Sequence, residues 1–503
     1  MLLKVKILNL LAGKPVAILH QETSKRLNLH VSERLKVRKL NSRNEIVAVI
    51  DIVRGLIEKN EIALSQEIVD KLKLKKDDIV EVHPALSPLS INYIIKKLNN
   101  NDLTFTEIYS IVSDIVNNAL TEAEVAYFVS AIYLRGMSVQ EIISLTKTIT
   151  LTGNHIKFNN KIVFDKHSCG GIAGNRTTPI IVSLIASAID RFKINAVMPK
   201  TSSRAITSAA GTADVIETLA KVEFTIDEIK KIVNKCNACF VWGGALGLAP
   251  ADDKIIQVER LLSLDPESQL IASIIAKKLS VNATHVVIDI PYGNSAKVTK
   301  ANALNLRNKF EKVTSHFNLN TKILITDGNE PIGDGVGPIL EMRDVISVLK
   351  QEKNLPAALE KKSIFIASEL LGMALKIKNK NYLQETLKRF LESGIAYEKF
   401  RDIIELQGGN LNNLNKKLQL GKFRLDIKAK HSGAIAEIDN KKVAYIARIA
   451  GCPSDASAGI FLKKHVNDKV KEREPIFTIY AETKEKLEHA KIVAEKILAV
   501  KIK

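Results

Sequence analysis

A chain of 503 residues, 46% hydrophobic and 26% charged, has the composition of a folded globular protein and exceeds what one core organises; disordered and fibrous classes are excluded and two to four domains are predicted. Four cysteines in that length exclude a disulfide framework, and the lone pair Cys236 and Cys239 lacks the second pair that a zinc site needs. The net charge of +19 suits anionic partners, yet with aromatics at 5% and lysines dispersed along the chain it describes a lysine-rich surface, so nucleic acid is not the expected partner.

The first residues alternate Leu3, Val5 and Ile7 with Lys4 and Lys6, which is the period of a strand and not the apolar block of a signal peptide. The longest charge-free apolar stretch, residues 179–189, is shorter than the roughly 18 to 20 residues of a membrane span, so a soluble cytoplasmic protein with no membrane partner is expected. A shift of 45 residues aligns AILHQETSKRLNLHVSERLKV, from Ala17, with IALSQEIVDKLKLKKDDIVEV, from Ile62. Each copy predicts a strand, a short helix and a strand, and two copies related by a pseudo-twofold would close a small barrel within residues 1–85.

Helical signals follow: Ser87-Pro88 as N-cap and first helical residue, then capping boxes at Thr104/Glu107, Thr121/Glu124 and Ser138/Glu141. They predict a helical domain over residues 86–152, completed by the later helical stretch 245–280. The runs KIVFD, INAVM, ACFVW, HVVIDI and KILIT, separated by helical segments, predict an α/β domain with a mostly parallel sheet over 153–244 and 281–411. Beyond it, GAIAEI, KVAYIARI and PIFTIYAE predict strands, with a lysine-rich hairpin at 466–474, in a C-terminal α+β domain over 412–503. The expected fold is thus multidomain α/β with a barrel-like repeat at its start.

Chemistry concentrates in two segments. In DKHSCGGIAGNRTT, residues 165–178, Lys166-His167-Ser168 come off the strand KIVFD, and Gly170, Gly171 and Gly174 lead to a helix that Thr178-Pro179 would open. A lysine, hydroxyls and bare backbone donors at a helix N-terminus, beyond the carboxyl end of a parallel strand, suit phosphate; an ordinary strand-to-helix turn with incidental polar residues is the alternative. The second segment, from Lys200 to Glu217, brings Ser202, Ser203, Arg204, Thr207, Ser208 and Thr212 to the end of the next strand, where Thr212 or Ser203 could equally be a helix cap.

Ser202-Ser203-Arg204 followed by Gly211-Thr212-Ala213-Asp214-Val215-Ile216-Glu217 resembles the signature of the nucleoside phosphorylase family that contains thymidine and pyrimidine-nucleoside phosphorylases. The resemblance continues through LAPADDK, ASIIAKK, HSGAIAEID and AGIFLKK, covering residues 87–503, and the spelling TSSRAITSAAGTAD together with the extra N-terminal domain is similar to the AMP phosphorylase branch. It implies a pentosyltransferase: phosphate attacks the anomeric carbon, the base leaves and a sugar 1-phosphate forms.

The resemblance also implies roles. Lys166, Ser168, Thr178, Ser202 and Thr212 would hold phosphate, and His167 would lie beside the scissile bond. Ser273 and Lys277, one helical turn apart, would contact the base, while Val258 occupies the place of the family's pyrimidine-reading arginine. Asp265 matches the AMP branch's proton donor, although Asp265-Pro266 by itself describes a helix N-cap, and an acid there would need a pKa raised by burial. The branch further implies contacts from Gly171, from Ser203, Arg204, Ala205, Ile206, Thr207 and Ser208, and from Lys297, otherwise an ordinary surface lysine. No metal or organic cofactor is implied. The partners would be inorganic phosphate and a nucleoside monophosphate or nucleoside, in a dimer or larger homo-oligomer to which the N-terminal repeat contributes.

Three alternatives are a thymidine phosphorylase releasing thymine and 2-deoxyribose 1-phosphate, a magnesium-dependent phosphoribosyltransferase of the anthranilate type, and a basic nucleic-acid-binding protein on an inactive enzyme fold. Intact Lys166-His167-Ser168 speaks against the last. The segment 327–341, with four glycines, fits no common phosphate fingerprint, and His431 has no partner at ligand spacing; neither is given a site role.

Overall fold

In the computed structural model, which describes residues 1–158, 161–174, 176–205 and 208–503, six strands at the start of the chain close into a barrel. Around it they run Leu2–Ile7, Glu61–Leu64, Val16–His20, Glu45–Val53, Arg34–Lys39 and Ile79–Pro84. The internal repeat is visible in the backbone. Each copy supplies strand, helix and strand, and both helices, Gln21–Leu27 and Gln66–Leu72, end on a left-handed residue at equivalent positions, Asn28 and Lys73, each at φ 51°. The repeat also reaches further than the aligned letters. Leu2–Ile7 runs parallel to Glu61–Leu64 as Glu45–Val53 runs parallel to Val16–His20, so each copy has a third strand. Alternate residues of these outer strands, among them Leu3, Val5, Ile46, Ala48 and Ile50, point into the core.

The barrel belongs to one unit, Met1–Thr152 with Pro250–Leu270; the second comprises Gly153–Ala249 and Ile271–Lys503. Within the first unit Arg34 ties barrel to bundle, with Nε donating to Ala119 O at 2.8 Å and Nη2 paired with Glu124. All three capping boxes are formed. The first helix, however, is Ser90–Leu98, with Leu89 and not Ser87 in the cap position. The N–H groups of Ile91 and Asn92 bond to Pro88 O and Leu89 O, an i to i−3 opening turn that takes up Pro88, the expected first helical residue, and leaves Ser87 outside it. Lys97 and Glu141 form a buried pair at 2.8 and 2.9 Å, and the same carboxylate accepts from the N–H groups of Leu103 and Ser138.

The second unit is built on a parallel sheet in the order Asn320–Asp327, His285–Tyr292, Ile162–Ser168, Ala196–Ser202 and Ala238–Trp242. Ladder pairing persists to Ser168 opposite Asp289 and to Ser202 opposite Trp242, so Lys166-His167-Ser168 and Lys200-Thr201-Ser202 end strands and do not lie in loops. The helix Thr177–Arg191 follows the glycine turn, with Arg176 in its cap position; Thr178 and Pro179 lie inside the first turn. Proline is tolerated there because the first N–H groups of a helix have no intrahelical acceptor.

The C-terminal segment forms two antiparallel sheets, one of which includes Gly335–Val336 from the preceding region. The run KVAYIARI, expected as a strand, is part of the helix Asn440–Ala450. Val443, Ala444, Ile446, Ala447 and Ala450 share its buried face, and Asp439 caps it by accepting from Lys441 and Lys442 N–H; a period near 3.6 with a cap overrides β-branched composition. Residues 466–474 lie in the connection between the antiparallel strands Gly459–Leu462 and Pro475–Ala481, and within it Lys469–Val470 pairs with Gly433–Ile438. No helix among the described residues is long and apolar enough to cross a membrane.

Removing one member of the Lys97–Glu141 pair leaves a buried charge, so Glu141→Ala should lower stability by about 3–5 kcal/mol, whereas the double change Lys97→Met with Glu141→Gln, which keeps an acceptor for the Leu103 and Ser138 N–H groups, should recover most of it. Denaturant unfolding of the three proteins checks this; equal losses in both variants would contradict it.

Candidate active site

At the carboxyl edge of the parallel sheet a group of lysines is held with too few acids to neutralise them. Asp165, fully buried, is shared by Lys200 at 3.1 Å and Lys278 at 2.7 Å. Burial opposes its ionisation, but the two lysines hold its pKa below the usual carboxylate value. Asp289, also fully buried, faces Lys362 at 3.3 Å and accepts from Thr326 Oγ1 at 2.6 Å and Ser168 Oγ at 3.4 Å. Four buried or nearly buried lysines, counting Lys166, therefore face two aspartates.

Among the described residues no carboxylate is in direct contact with the Lys166 ammonium. Its Nζ donates to Gly174 O at 3.2 Å, Thr177 Oγ1 at 2.8 Å and Thr178 Oγ1 at 3.4 Å, all on the turn that opens the Thr177–Arg191 helix. Burial drives its pKa down to about 7; Asp289 pulls upward, and Lys362 and Lys200 push it down further. An arriving anion would supply the missing countercharge. His167, half-buried on the same strand, is held well below its ordinary pKa by burial and by Lys278, Lys200, Lys166 and Lys277, so it is neutral at pH 7. The turn is shaped for close approach. A Cβ on Gly174 would stand 2.2 Å from Ser168 Oγ and 3.1 Å from Asp289 Oδ2, and Gly171 takes φ +51° with open space around its Cα.

The second segment adjoins this group through the neighbouring strand. Lys200 Nζ also donates to Thr201 O, and Ser202 Oγ donates to Val241 O at 3.2 Å. The helix Thr212–Glu217 is capped by neither Ser203 nor Thr212: Gly211 holds the cap position, and Asp214 Oδ2 accepts from the N–H groups of Gly211 and Ala205 at 2.7 Å each. Thr212 is buried as the first helical residue, and Ser203 is exposed. Ser208 Oγ donates to Ala210 O. Arg204 pairs with Glu217 and Glu223 and lies 4.6 Å over the Trp242 ring, so its guanidinium ties the segment to the adjacent strand. Ile206 and Thr207 lie outside the described residues.

Ser273 and Lys277 share one face of the helix Glu267–Ser280, with Lys277 Nζ 3.4 Å from Ser273 Oγ, and Lys278 on that helix reaches Asp165. The structure thus brings Lys166, His167, Ser168, Thr178 and the Lys277 side into one electrostatic neighbourhood. Asp265 belongs to the first unit, where it is exposed. It is not the cap position: the helix begins at Glu267, and Leu270 N–H donates to Pro266 O at 3.0 Å. Val258 is buried in the same unit, and Lys297 is exposed in the second.

Asp165, Lys200, Lys278, Asp289 and Lys362 were not singled out in the sequence. Asp165 and Lys200 stand beside residues that were, and Lys278 follows Lys277, so adjacency was an available signal. Lys362, from the helix Ala357–Leu375, carried none: only folding brings it to Asp289 and to Ala173 O at 3.1 Å.

Comparison with known proteins places this geometry. The helical bundle domain of a glycosyl transferase family matches residues 91–150, the a/b domain of that family matches 160–301, and the pyrimidine nucleoside phosphorylase C-terminal domain matches 434–501. The fold is similar to that of anthranilate phosphoribosyltransferase from Thermus thermophilus, with a TM-score of 0.52 at 14% identity, covering 63% of this chain and 99% of that one. The class is therefore a pentosyltransferase. The chain is 40% identical to an AMP phosphorylase of Pyrococcus furiosus, over 99% of this chain and 97% of the relative, and 42% identical to one of Pyrococcus horikoshii with the same coverage. It belongs to the thymidine and pyrimidine-nucleoside phosphorylase family, in the branch of the AMP phosphorylases.

In the unfolded chain Lys166 keeps its proton up to its ordinary pKa of 10.5, whereas in the fold it gives it up near 7. Between those values the unfolded state binds more protons, so this group makes stability rise with pH across the window. Lys166→Met should flatten that rise, measured as denaturant midpoints from pH 7 to 10; an unchanged slope would show that Lys166 is charged in the empty protein.

Proposed function

We propose that this protein cleaves the N-glycosidic bond of AMP with inorganic phosphate, forming adenine and ribose 1,5-bisphosphate. The observation that carries this reading is the cation surplus around Lys166 at the opening of the Thr177–Arg191 helix, in a chain that matches AMP phosphorylases over nearly its whole length.

Phosphate takes the place beside Lys166, Ser168 and Thr178, with hydroxyls contributed by Ser202 at the end of the next strand and by Thr212 at the start of the helix that follows it. Its charge restores the full protonation of Lys166. Held close, it attacks the anomeric carbon as the bond to the base lengthens; proximity replaces a bimolecular encounter. Positive charge gathers on the sugar and negative charge on the base, so the base leaves most readily with a proton. Asp265 supplies it. Neutral His167 orients the sugar beside the scissile bond without adding a cation against the oxocarbenium. Ser273 and Lys277 contact the base, and Gly171, the segment 203–208 and Lys297 receive the nucleotide with its 5′-phosphate. Arg204, engaged with Glu217, Glu223 and Trp242, shapes that segment.

Val258, buried and apolar where pyrimidine recognition calls for an arginine, favours AMP over thymidine as substrate. The same reading describes a cytoplasmic homo-oligomer.

Phosphate-dependent release of free base from AMP, CMP, UMP, thymidine and uridine tests the assignment. AMP should be turned over and thymidine should not, and Asp265→Asn and Lys166→Ala should each lower kcat/KM by about 10²-fold or more. Turnover of thymidine alone, or full activity in Asp265→Asn, would refute the reading.

A further inference from the structure

The glycine-containing segment 327–341, given no role in the sequence, wraps the side chain of Arg176, the residue immediately before the Thr177–Arg191 helix. Arg176 is 1% exposed. Its guanidinium donates to Gly335 O and to Asp344 Oδ2 at 3.3 Å, and lies 3.5 Å from Glu341 Oε1. Asp344 Oδ2 also accepts the N–H groups of Asp334 and Gly335 at 2.9 Å each. Gly333, at φ +93°, lets the backbone pass: a Cβ there would stand 2.6 Å from Asp344 Oδ2 and 3.2 Å from Arg176 Cδ.

The same segment has two further attachments. On one side Ile332 N–H donates to Ile172 O at 3.2 Å, inside the Gly171–Ala173 turn between Lys166's strand and its helix. On the other, His465 bridges Glu330 at 3.1 Å and Asp334 at 2.9 Å, and Leu462 N–H donates to Asp334 O at 2.7 Å, which anchors the segment to the C-terminal sheet. A continuous line of contacts therefore runs from His465 through Asp334, Asp344 and Arg176 to the peptide that opens the helix of Thr177 and Thr178.

Burying a guanidinium with two carboxylates is a poor way to gain stability, and Arg176 Nε has no hydrogen-bond partner among the described residues. Its contacts do tie the residue that opens the Thr177–Arg191 helix to Gly335, Glu341 and Asp344. We propose that Arg176, clamped by Asp344 and the 327–341 segment, is a positioning residue for phosphate, and that His465 makes phosphate affinity depend on the C-terminal sheet. The proposal rests on reading the Lys166 turn as the phosphate site. Neither Arg176 nor His465 touches phosphate in it; both act through the placement of Thr177, Thr178 and the turn.

Calorimetric titration of full-length Arg176→Lys, Asp344→Asn and His465→Gln with inorganic phosphate, and separately with AMP, tests this alongside phosphorolysis kinetics. Phosphate Kd and KM should rise about tenfold in the first two variants and less in the third, with AMP Kd within about twofold of the unsubstituted protein. His465 is 32% exposed, so its variant should remain folded and decide the matter even where the buried substitutions do not. Unchanged phosphate affinity in the folded variants, equal losses for phosphate and AMP, or losses that simply track melting temperature would overturn the proposal. Phosphate binding by the unsubstituted protein without AMP turnover would instead refute the substrate assignment, and the phosphate titrations would still decide the role of Arg176.

Discussion

Asp165 is the interaction on which the candidate site depends. Its carboxylate, shared between Lys200 and Lys278, ties together the ends of two adjacent parallel strands and the helix Glu267–Ser280. A carboxylate with no exposure is stable as an anion only because two cations and the Lys166 N–H converge on it. Those cations in turn are kept near one another only because the carboxylate is there. Lys166, next in sequence but pointing to the other side of the strand, is left to the hydroxyls and carbonyl of the turn.

Charge imbalance follows from that arrangement and gives the site its chemistry. A sheet edge carrying more buried lysines than acids is an unfavourable structure in isolation, and the depressed pKa values of Lys166 and Lys278 express that cost. An anion with several acceptor oxygens would relieve it, most strongly where little water screens the charges.

The glycine turn shows how such a site is supported from behind. Gly174 allows Ser168 and Asp289 to approach, while the 327–341 segment wraps the side chain of Arg176, which precedes the helix. Residues far apart in sequence thus meet around one helix start. Precision of that kind comes from rigid neighbours and not from the ligand-facing groups alone.

The sequence alone determined the elements whose signals are local. Capping boxes at Thr104, Thr121 and Ser138, the 45-residue repeat and the alternation of strands and helices each depend on residues close in the chain, and each was legible. The signature from Ser202 to Glu217 identified the family. Local signals misled where two periods competed, as in Asn440–Ala450, and where a turn displaced a cap, as at Ser87-Pro88, Thr178-Pro179 and Asp265-Pro266. The tertiary structure alone decided which charges meet. Lys362 reaches Asp289, Lys278 reaches Asp165, and Arg176 reaches Asp344 across 168 positions, because a parallel sheet gathers the ends of distant strands and helices at one edge. No pattern along a chain encodes that convergence, since it is a property of how the elements pack and of the cost of leaving a buried charge unmatched.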